Sequence, residues 1–428
     1  MLPKQLALIF FFVGLCFLAK AQELSPYSQY GLGDLRGSGF TAQTSMGRVS
    51  SGYRDPVHIN FANPASYSEL QLTTLEGGMG LSSKKLETST TSSRATAGLV
   101  DFLALAFPVR KGMAISAGLV PYSTVKYNFE QLDTLSDNTA YKRAFNGSGI
   151  IYQLYAGTGV RFPLKNDTAK HTVSIGANAI YLFGRDRYVE FLDFSGNANY
   201  FGTRKNTILR TSDIAMNSGI QYTLRLPKKW QFTIGADAFL PFSVNTIYSD
   251  VWDRFQVSSS GVFVFDTTFN SGEQNINRNF PVEYGGGFML KKGSNLLLAA
   301  DVHFRQWNAF KDIINPSIVF QNTTRFNAGI ELKPGIGKGK SNFFKRNHYR
   351  LGGHYETAAF NLNGKGISQY GITFGLGIAV KGSFSVVNLG WEIGQRGTTE
   401  NNMVKETFVR TYIGFTLNDK WFIKRKYD

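Results

Sequence analysis

Alternation dominates the chain from about residue 70 onward. In LLLAADVHFRQW, Leu296 to Trp307, the residues Leu296, Leu298, Ala300, Val302 and Phe304 share one face. Asp301, His303 and Arg305 share the other, because successive side chains of an extended strand point to opposite sides. One face suits hydrocarbon and the other suits water. The same period recurs in VVNLGWEIGQR, where Val387, Leu389, Trp391 and Ile393 oppose Asn388 and Glu392. In TFVRTYIGFTL, Val409, Ile413, Phe415 and Leu417 oppose Arg410, Tyr412 and Thr416. Further runs cover Leu70 to Ser82, Thr96 to Val109, Met113 to Tyr127, Gly149 to Phe162, Thr172 to Phe183, Thr207 to Leu224, Trp230 to Tyr248 and Phe280 to Leu290. Thr323 to Leu332, Asn347 to Ala359 and Gln369 to Val380 complete a set of fourteen predicted strands.

Strand length decides between a soluble sheet and a membrane wall. Most of these runs reach about ten residues, where soluble sheets average about five or six and a tilted membrane strand needs roughly 9 to 11. The pattern therefore predicts an all-β transmembrane antiparallel barrel. Its connectors alternate in length as such barrels require. The short ones are PVRKG, PLKNDTAK, RLPKK, KKGSN, the longer KPGIGKGKSNFFKR, and VKGS. Between them lie Ser83 to Ala95, Asn128 to Ser148, Gly184 to Asn206, Ser249 to Asn279, Asn308 to Asn322, Phe360 to Ser368 and Gly397 to Met403. Short turns on the periplasmic side put both ends of an even-stranded barrel there. DRFQVSSSGVFVFD, inside the fourth long connector, is expected to extend a strand pair beyond the membrane as a hairpin.

Composition agrees with one large β architecture, with 45 Gly, 36 Phe and 20 Tyr in 428 residues and only 18% charged residues. The net charge of +16 finds its place in the short turns, where Lys and Arg cluster beside the phosphates of an inner leaflet, so outer-membrane lipid is an expected partner. A nucleic-acid role would need basic residues interleaved with aromatics on one groove, and an export signal argues against meeting chromosomal nucleic acid, so no nucleic-acid partner is expected. Trp230, Tyr248, Trp307, Trp391, Trp421 and Phe422 fit interfacial girdles.

Met1 to Ala21 reads as a cleavable secretory signal, with the apolar LALIFFFVGLCFLA followed by Ala19-Lys20-Ala21. Its apolar core is too short to span a bilayer. Acylation of Cys16 fits less well, because Leu15 stands where a small residue is needed. Cys16 is the single cysteine, so the mature chain has no disulfide framework. The expected location is a bacterial outer membrane.

Residues 22–69 lack either period. SPYSQYGLGD and NFANPASYSEL combine Pro26 and Pro64 with Gly31, Gly33, Gly37, Gly39, Gly47 and Gly52, which favour turns, and carry many aromatic residues. Low charge and aromatic bulk argue for an ordered plug and against a disordered linker. A fourteen-strand barrel preceded by such a segment with Asn63-Pro64-Ala65 resembles the FadL-type family of outer-membrane transporters for long-chain fatty acids and other hydrophobic compounds. The tyrosine-rich opening and the ending LNDKWFIKRKYD look like the Bacteroidetes-type branch. The resemblance implies that residues 22–69 form a lumenal hatch in front of a barrel over 70–428, with Asn63, Pro64 and Ala65 as its motif.

The candidate chemistry is sparse. HYRLGGHYE puts His348, Arg350, His354 and Glu356 on one face, but the two histidines stand roughly 20 Å apart on an extended strand, too far to share a metal. Asp301, His303 and Arg305 are likewise read as polar lumen lining, since no G-x-S-x-G elbow accompanies them. Gly335 to Ser341 fails the phosphate-loop spacing because Pro334 occupies the glycine position. Asn146-Gly147-Ser148, Asn166-Asp167-Thr168 and Asn322-Thr323-Thr324 match a glycosylation pattern and are read as ordinary loop residues. No catalytic residue, cofactor or metal is expected. The first reading is an uptake channel for a small hydrophobic or amphipathic ligand, gated by the hatch. The alternative is a non-transporting barrel subunit whose partners are other envelope proteins of a secretion or assembly complex. Uptake requires a continuous apolar pocket, and a scaffold requires a closed lumen.

Overall fold

The alternating runs fold into one antiparallel ring, seen in a computed structural model that describes residues 24–420 apart from 38, 165–169, 195–199, 259–260 and 336–342. The strands are β1 (Thr73–Glu87), β2 (Ser92–Arg110), β3 (Met113–Thr134), β4 (Ala140–Pro163), β5 (His171–Asp193) and β6 (Gly202–Leu226). They continue as β7 (Trp230–Pro241), β8 (Ser243–Ser258), β9 (Gly261–Asn270), β10 (Gln274–Asn279), β11 (Val282–Lys292) and β12 (Leu296–Gln306). The last are β13 (Thr323–Leu332), β14 (His348–Glu356), β15 (Gln369–Ala379), β16 (Val386–Arg396) and β17 (Lys405–Asp419). Strands β7 and β8 form one stave bent at Phe242, and β10 and β11 another bent at Phe280 and Pro281, while β9 pairs only with β8. The wall thus has fourteen staves, closed where β1 runs against β17 from Thr73 opposite Asp419 to Glu87 opposite Lys405.

The outward faces keep the apolar half of the alternation. Leu103, Leu154, Ile175, Ile220, Ile234 and Phe326 are all at least 47% exposed. A continuous belt of such residues is stable against lipid and unstable against water. No helix among the described residues is long and apolar enough to cross a membrane. Closure pairs the wall strands with two neighbours over most of their length, the condition for a β chain to span hydrocarbon.

On one flank the wall rises well past the belt. Strands β3, β4, β5 and β6 have 22, 24, 23 and 25 residues, about twice what the bilayer needs. Much of Asn128 to Ser148 and Gly184 to Asn206, expected as loops, is therefore strand. Beyond the hydrocarbon the outward face meets water instead of lipid, so polar residues such as Lys142, Arg185 and Arg187 replace the apolar half of the pattern, while Tyr127, Tyr188 and Leu209 stay buried on the inner side. The hairpin expected between Ser249 and Asn279 is β8–β9, and it extends this crest through pairs such as Trp252 opposite Phe269.

The aromatic girdle needs correction. Trp307 is only 4% exposed and packs with Phe310 and Phe320, while Tyr248 packs against the buried Val125, Tyr127, Tyr188 and Leu209. Trp391 lies in the middle of β16. Trp230, at the start of β7, keeps an end position. The signal-peptide reading with Cys16, Asn166-Asp167-Thr168, Trp421, Phe422 and most of Gly335 to Ser341 fall outside the described residues.

Strands β2 and β3 separate above Leu103 opposite Leu119, leaving a seam in the wall. Pro121, which lacks an N–H, lies beside a register shift where β3 bends. Asp34 and Leu35 pair there with Thr124 and Ser123, and Arg36 N–H donates to Tyr122 O (2.8 Å). The chain ahead of β1 thus supplies the neighbour that β2 withdraws.

Candidate functional site

The site is the contact between the chain ahead of β1 and the inward faces of the wall. Its residues are almost all buried, including Tyr27, Leu32, Phe40, Tyr53, Arg54, Ile59, Asn63 and Tyr67. They touch β3, β4, β5, β6, β13, β15, β16 and β17, hence every side of the ring.

Asn63 and Pro64 shape one contact. Asn63 takes extended backbone before a short helical turn, Pro64–Glu69, and its Oδ1 accepts from Ala65 N–H (3.2 Å). This is an N-cap, with Pro64 in the first turn where its missing N–H is harmless. The Asn63 amide also donates to Ser51 O (2.7 Å) and to Ala236 O (3.3 Å) on β7. Ala65 is fully buried.

Inward glycines make room for these contacts. A side-chain carbon at Gly219 would overlap Asn63, one at Gly235 would overlap Ser51, and one at Gly176 would overlap Pro64. Gly329 and Gly352 meet Met46 in the same way, and Gly414 meets Thr41. Glycine inside a strand weakens it, and its usual return is close backbone approach. Here the approaching backbone is the chain's own front end.

Charge fixes what shape positions. Asp301 accepts from Ser50 N–H (2.5 Å) and Ser51 N–H (3.2 Å) and from the Asn327 amide (2.6 Å). His303 sits 3.4 Å from Asp301 and 3.2 Å from Glu283, and Ser50 Oγ reaches it at 3.2 Å. Glu283 also pairs with Arg305 (2.5 Å) and Arg325 (2.9 Å), and Arg305 continues to Glu356 (3.0 Å). The structure therefore brings Asp301, His303, Arg305 and Glu356 into one network. His348 and Arg350 join a second through Glu331, at 3.5 and 2.6 Å. His354 approaches Glu392 (3.6 Å), which also receives Arg48 (3.0 Å) from the front segment. His348 and His354 thus belong to separate clusters. Among the described residues no group of acids and histidines could hold a metal ion.

Two further clamps involve residues the alternation alone did not single out. Arg54 pairs with Glu69 (2.9 Å), which also takes Arg161 (3.0 Å) from the wall. Asp55 lies 3.6 Å from Lys291 and 3.8 Å from Lys333. Burial raises the Asp55 pKa, but these two ammonium groups outweigh it and hold the carboxyl well below its ordinary range. Charges such as Glu76, Glu331 and Glu392 within otherwise apolar alternation were the available signal, since each marks a face that must pair inside.

A cavity of about 130 Å³ remains near the seam. Phe40, Phe102, Val120 and Phe320 line it together with Arg48, Arg305, Arg396 and Arg410. Across the mouth, the connector after β12 holds the front end down, with Asp312 accepting from Gly31 N–H (2.7 Å) and the Asn315 amide donating to Gln29 O (2.9 Å).

Known structures share this fold. The Pseudomonas putida toluene transporter TodX superposes with a TM-score of 0.58 at 14% identity, covering 90% of this chain and 99% of that one. The Ralstonia pickettii toluene transporter TbuX gives 0.55 at 14% identity, and a Pseudomonas aeruginosa FadL homologue 0.56 at 10%, each covering 90% of this chain and 99% of the other. At such identities the likeness shows a common architecture alone. No curated protein sequence matches the chain. The BamG family profile, however, matches it from residue 1 to residue 428, and with that match over its whole length the chain belongs to the BamG family.

Proposed function

We propose that the protein is a non-transporting barrel subunit of an outer-membrane protein assembly or secretion complex, plugged by residues 22–69 and presenting its crest and turns to envelope partners. The observation that carries this reading is the fit of the front segment. It is seated in glycine slots, clamped by buried ion pairs and held at the mouth by Asp312. Opening the bore would have to separate several of these buried pairs together with the glycine-slot contacts and the hydrogen bonds at the mouth. The test is isolation from native membranes in mild detergent. The reading expects envelope proteins at fixed stoichiometry, and recovery of a monodisperse barrel carrying only lipid or hydrocarbon would overturn it.

One observation favours a second reading, the uptake channel gated by the hatch. The cavity at the seam has aromatic walls, Phe40 and Phe102 stacking at 4.1 Å, and the neighbours TodX and TbuX are described as toluene transporters. Vesicles containing the purified protein would take up toluene faster than empty vesicles under this reading and at the same rate under the first.

A further inference from the structure

The wall is one strand short beside the crest. Strand β12 pairs with β11 as far as Gln306 opposite Val282, and from Trp307 the chain leaves the ring and folds inward onto Phe310 and Phe320. Strand β10 continues its stave past that level. Its ladder has β8 on one side, from Gln274 opposite Tyr248 to Asn279 opposite Ser243, and no strand among the described residues on the other. Its outward residues Asn275, Asn277 and Asn279 face water and not lipid. Such an edge offers a row of unpaired N–H and C=O groups, which proteins ordinarily blunt with lysine, proline or a bulge. Strand β9 has two bulges, whereas β10 keeps an unbroken register and carries neither lysine nor proline.

A cavity of about 370 Å³ lies between this edge and the connector after β12. Tyr248, Ile276, Ala309 and Ile313 give it apolar walls, Arg278 and Lys311 give it positive charge, and no acid lines it. Arg278 is only 3% exposed, yet its Nε and Nη1 make no hydrogen bond and no carboxylate among the described residues pairs with it. Asp312, next to Lys311, is turned away, its carboxylate accepting from the N–H groups of Gly31, Ile314 and Asn315. Buried donors left in this state are costly until an acceptor reaches them.

We propose that β10 is a docking edge for an extended, acidic segment of a surface-exposed envelope protein, which adds a strand to the wall and sets a carboxylate against Arg278. Backbone pairing holds such a segment and the groove beside the edge selects its side chains. The proposal rests on the assembly-subunit reading and names where one partner binds. A second copy of the chain fits poorly. Two barrels in one membrane keep the same direction along its normal, so their tilted β10 edges meet in the parallel sense and cross steeply.

The test is site-specific photo-cross-linking in native membranes. A benzophenone amino acid is placed in the full-length chain at Asn277, at Ala309 or, as control, at the exposed Leu132 elsewhere on the crest. The expected result is one envelope protein joined at both Asn277 and Ala309 through a single short stretch of its sequence. A synthetic peptide of that stretch, added to the purified protein, slows hydrogen exchange at alternate amides of Gln274–Asn279. Replacing its acidic residue by the amide weakens binding about tenfold, as does Arg278→Gln; the peptide comparison stands even where that variant fails to fold. Isolation of the barrel with no protein partner overturns this proposal and the assembly reading together. A partner at fixed stoichiometry that cross-links at neither Asn277 nor Ala309 overturns the docking edge and leaves the assembly reading in place. Cross-links to a second copy of the chain, or peptide binding indifferent to the lost carboxylate, also overturn it.

Discussion

Asn63 lies so close to Gly219 of β6 that a side-chain carbon on the glycine would overlap the amide oxygen capping Ala65. Gly219→Ala should therefore push the front segment off its seat and lower stability by about 1 to 3 kcal/mol, the usual range for overpacking. Gly286→Ala is the control, since a side-chain carbon there meets nothing within 4 Å. Thermal unfolding of the two variants in the same detergent checks the difference.

Asp301 receives two backbone N–H groups of the front segment while facing His303. Asp301→Leu leaves the two backbone donors without their acceptor and takes one carboxylate from the imidazole. The expected loss is on the order of 3 to 5 kcal/mol of local stability. The readout is protease cleavage between residues 45 and 55, rapid in the variant and slow in the wild type.

Asp55 contributes an acid-sensitive clamp. Its folded pKa lies below the ordinary value of 3.8, so its ionised pairing with Lys333 and Lys291 stabilises the protein above that value. The contribution is lost as pH falls through the depressed folded value. The thermal midpoint of the wild type should drop more steeply below about pH 4 than that of Asp55→Asn, which starts lower at neutral pH and flattens.

The crest stands outside the hydrocarbon belt. Removing residues 252–269 should leave the wall within the membrane intact, since β9 pairs only with β8 and the part of β8 lost with it pairs only with Gly202 to Lys205 at the outer end of β6. Heat-modifiable gel migration of the deletion variant should match the wild type, and failure to insert would contradict the placement of this hairpin beyond the membrane.

All fourteen staves were legible because a wall between lipid and a polar interior writes a period of two into the chain, as in Leu298, Ala300 and Val302 against Asp301 and His303. Their outer ends were not, because Arg185 and Arg187 take the outward positions there while Asp186 and Tyr188 are buried on the inner side, so the apolar-outward period is lost. Asp301, His303 and Arg305 were recognisable as inward polar positions, yet their partners Glu283, Glu356 and Ser50 come from distant parts of the chain. Trp307 misled because composition suggests an interface, whereas the connector after β12 folds it inward onto Phe320. Gly219, Gly235 and Gly329 carried the missing signal, since glycine within a strand marks close approach, although not which segment approaches.

Conductance across a planar lipid bilayer tests the closed bore most directly. The wild-type barrel should insert without a steady ohmic current, while a variant lacking residues 24–72 should form open pores. A persistent current through the wild-type protein, unchanged by that deletion, would contradict the account.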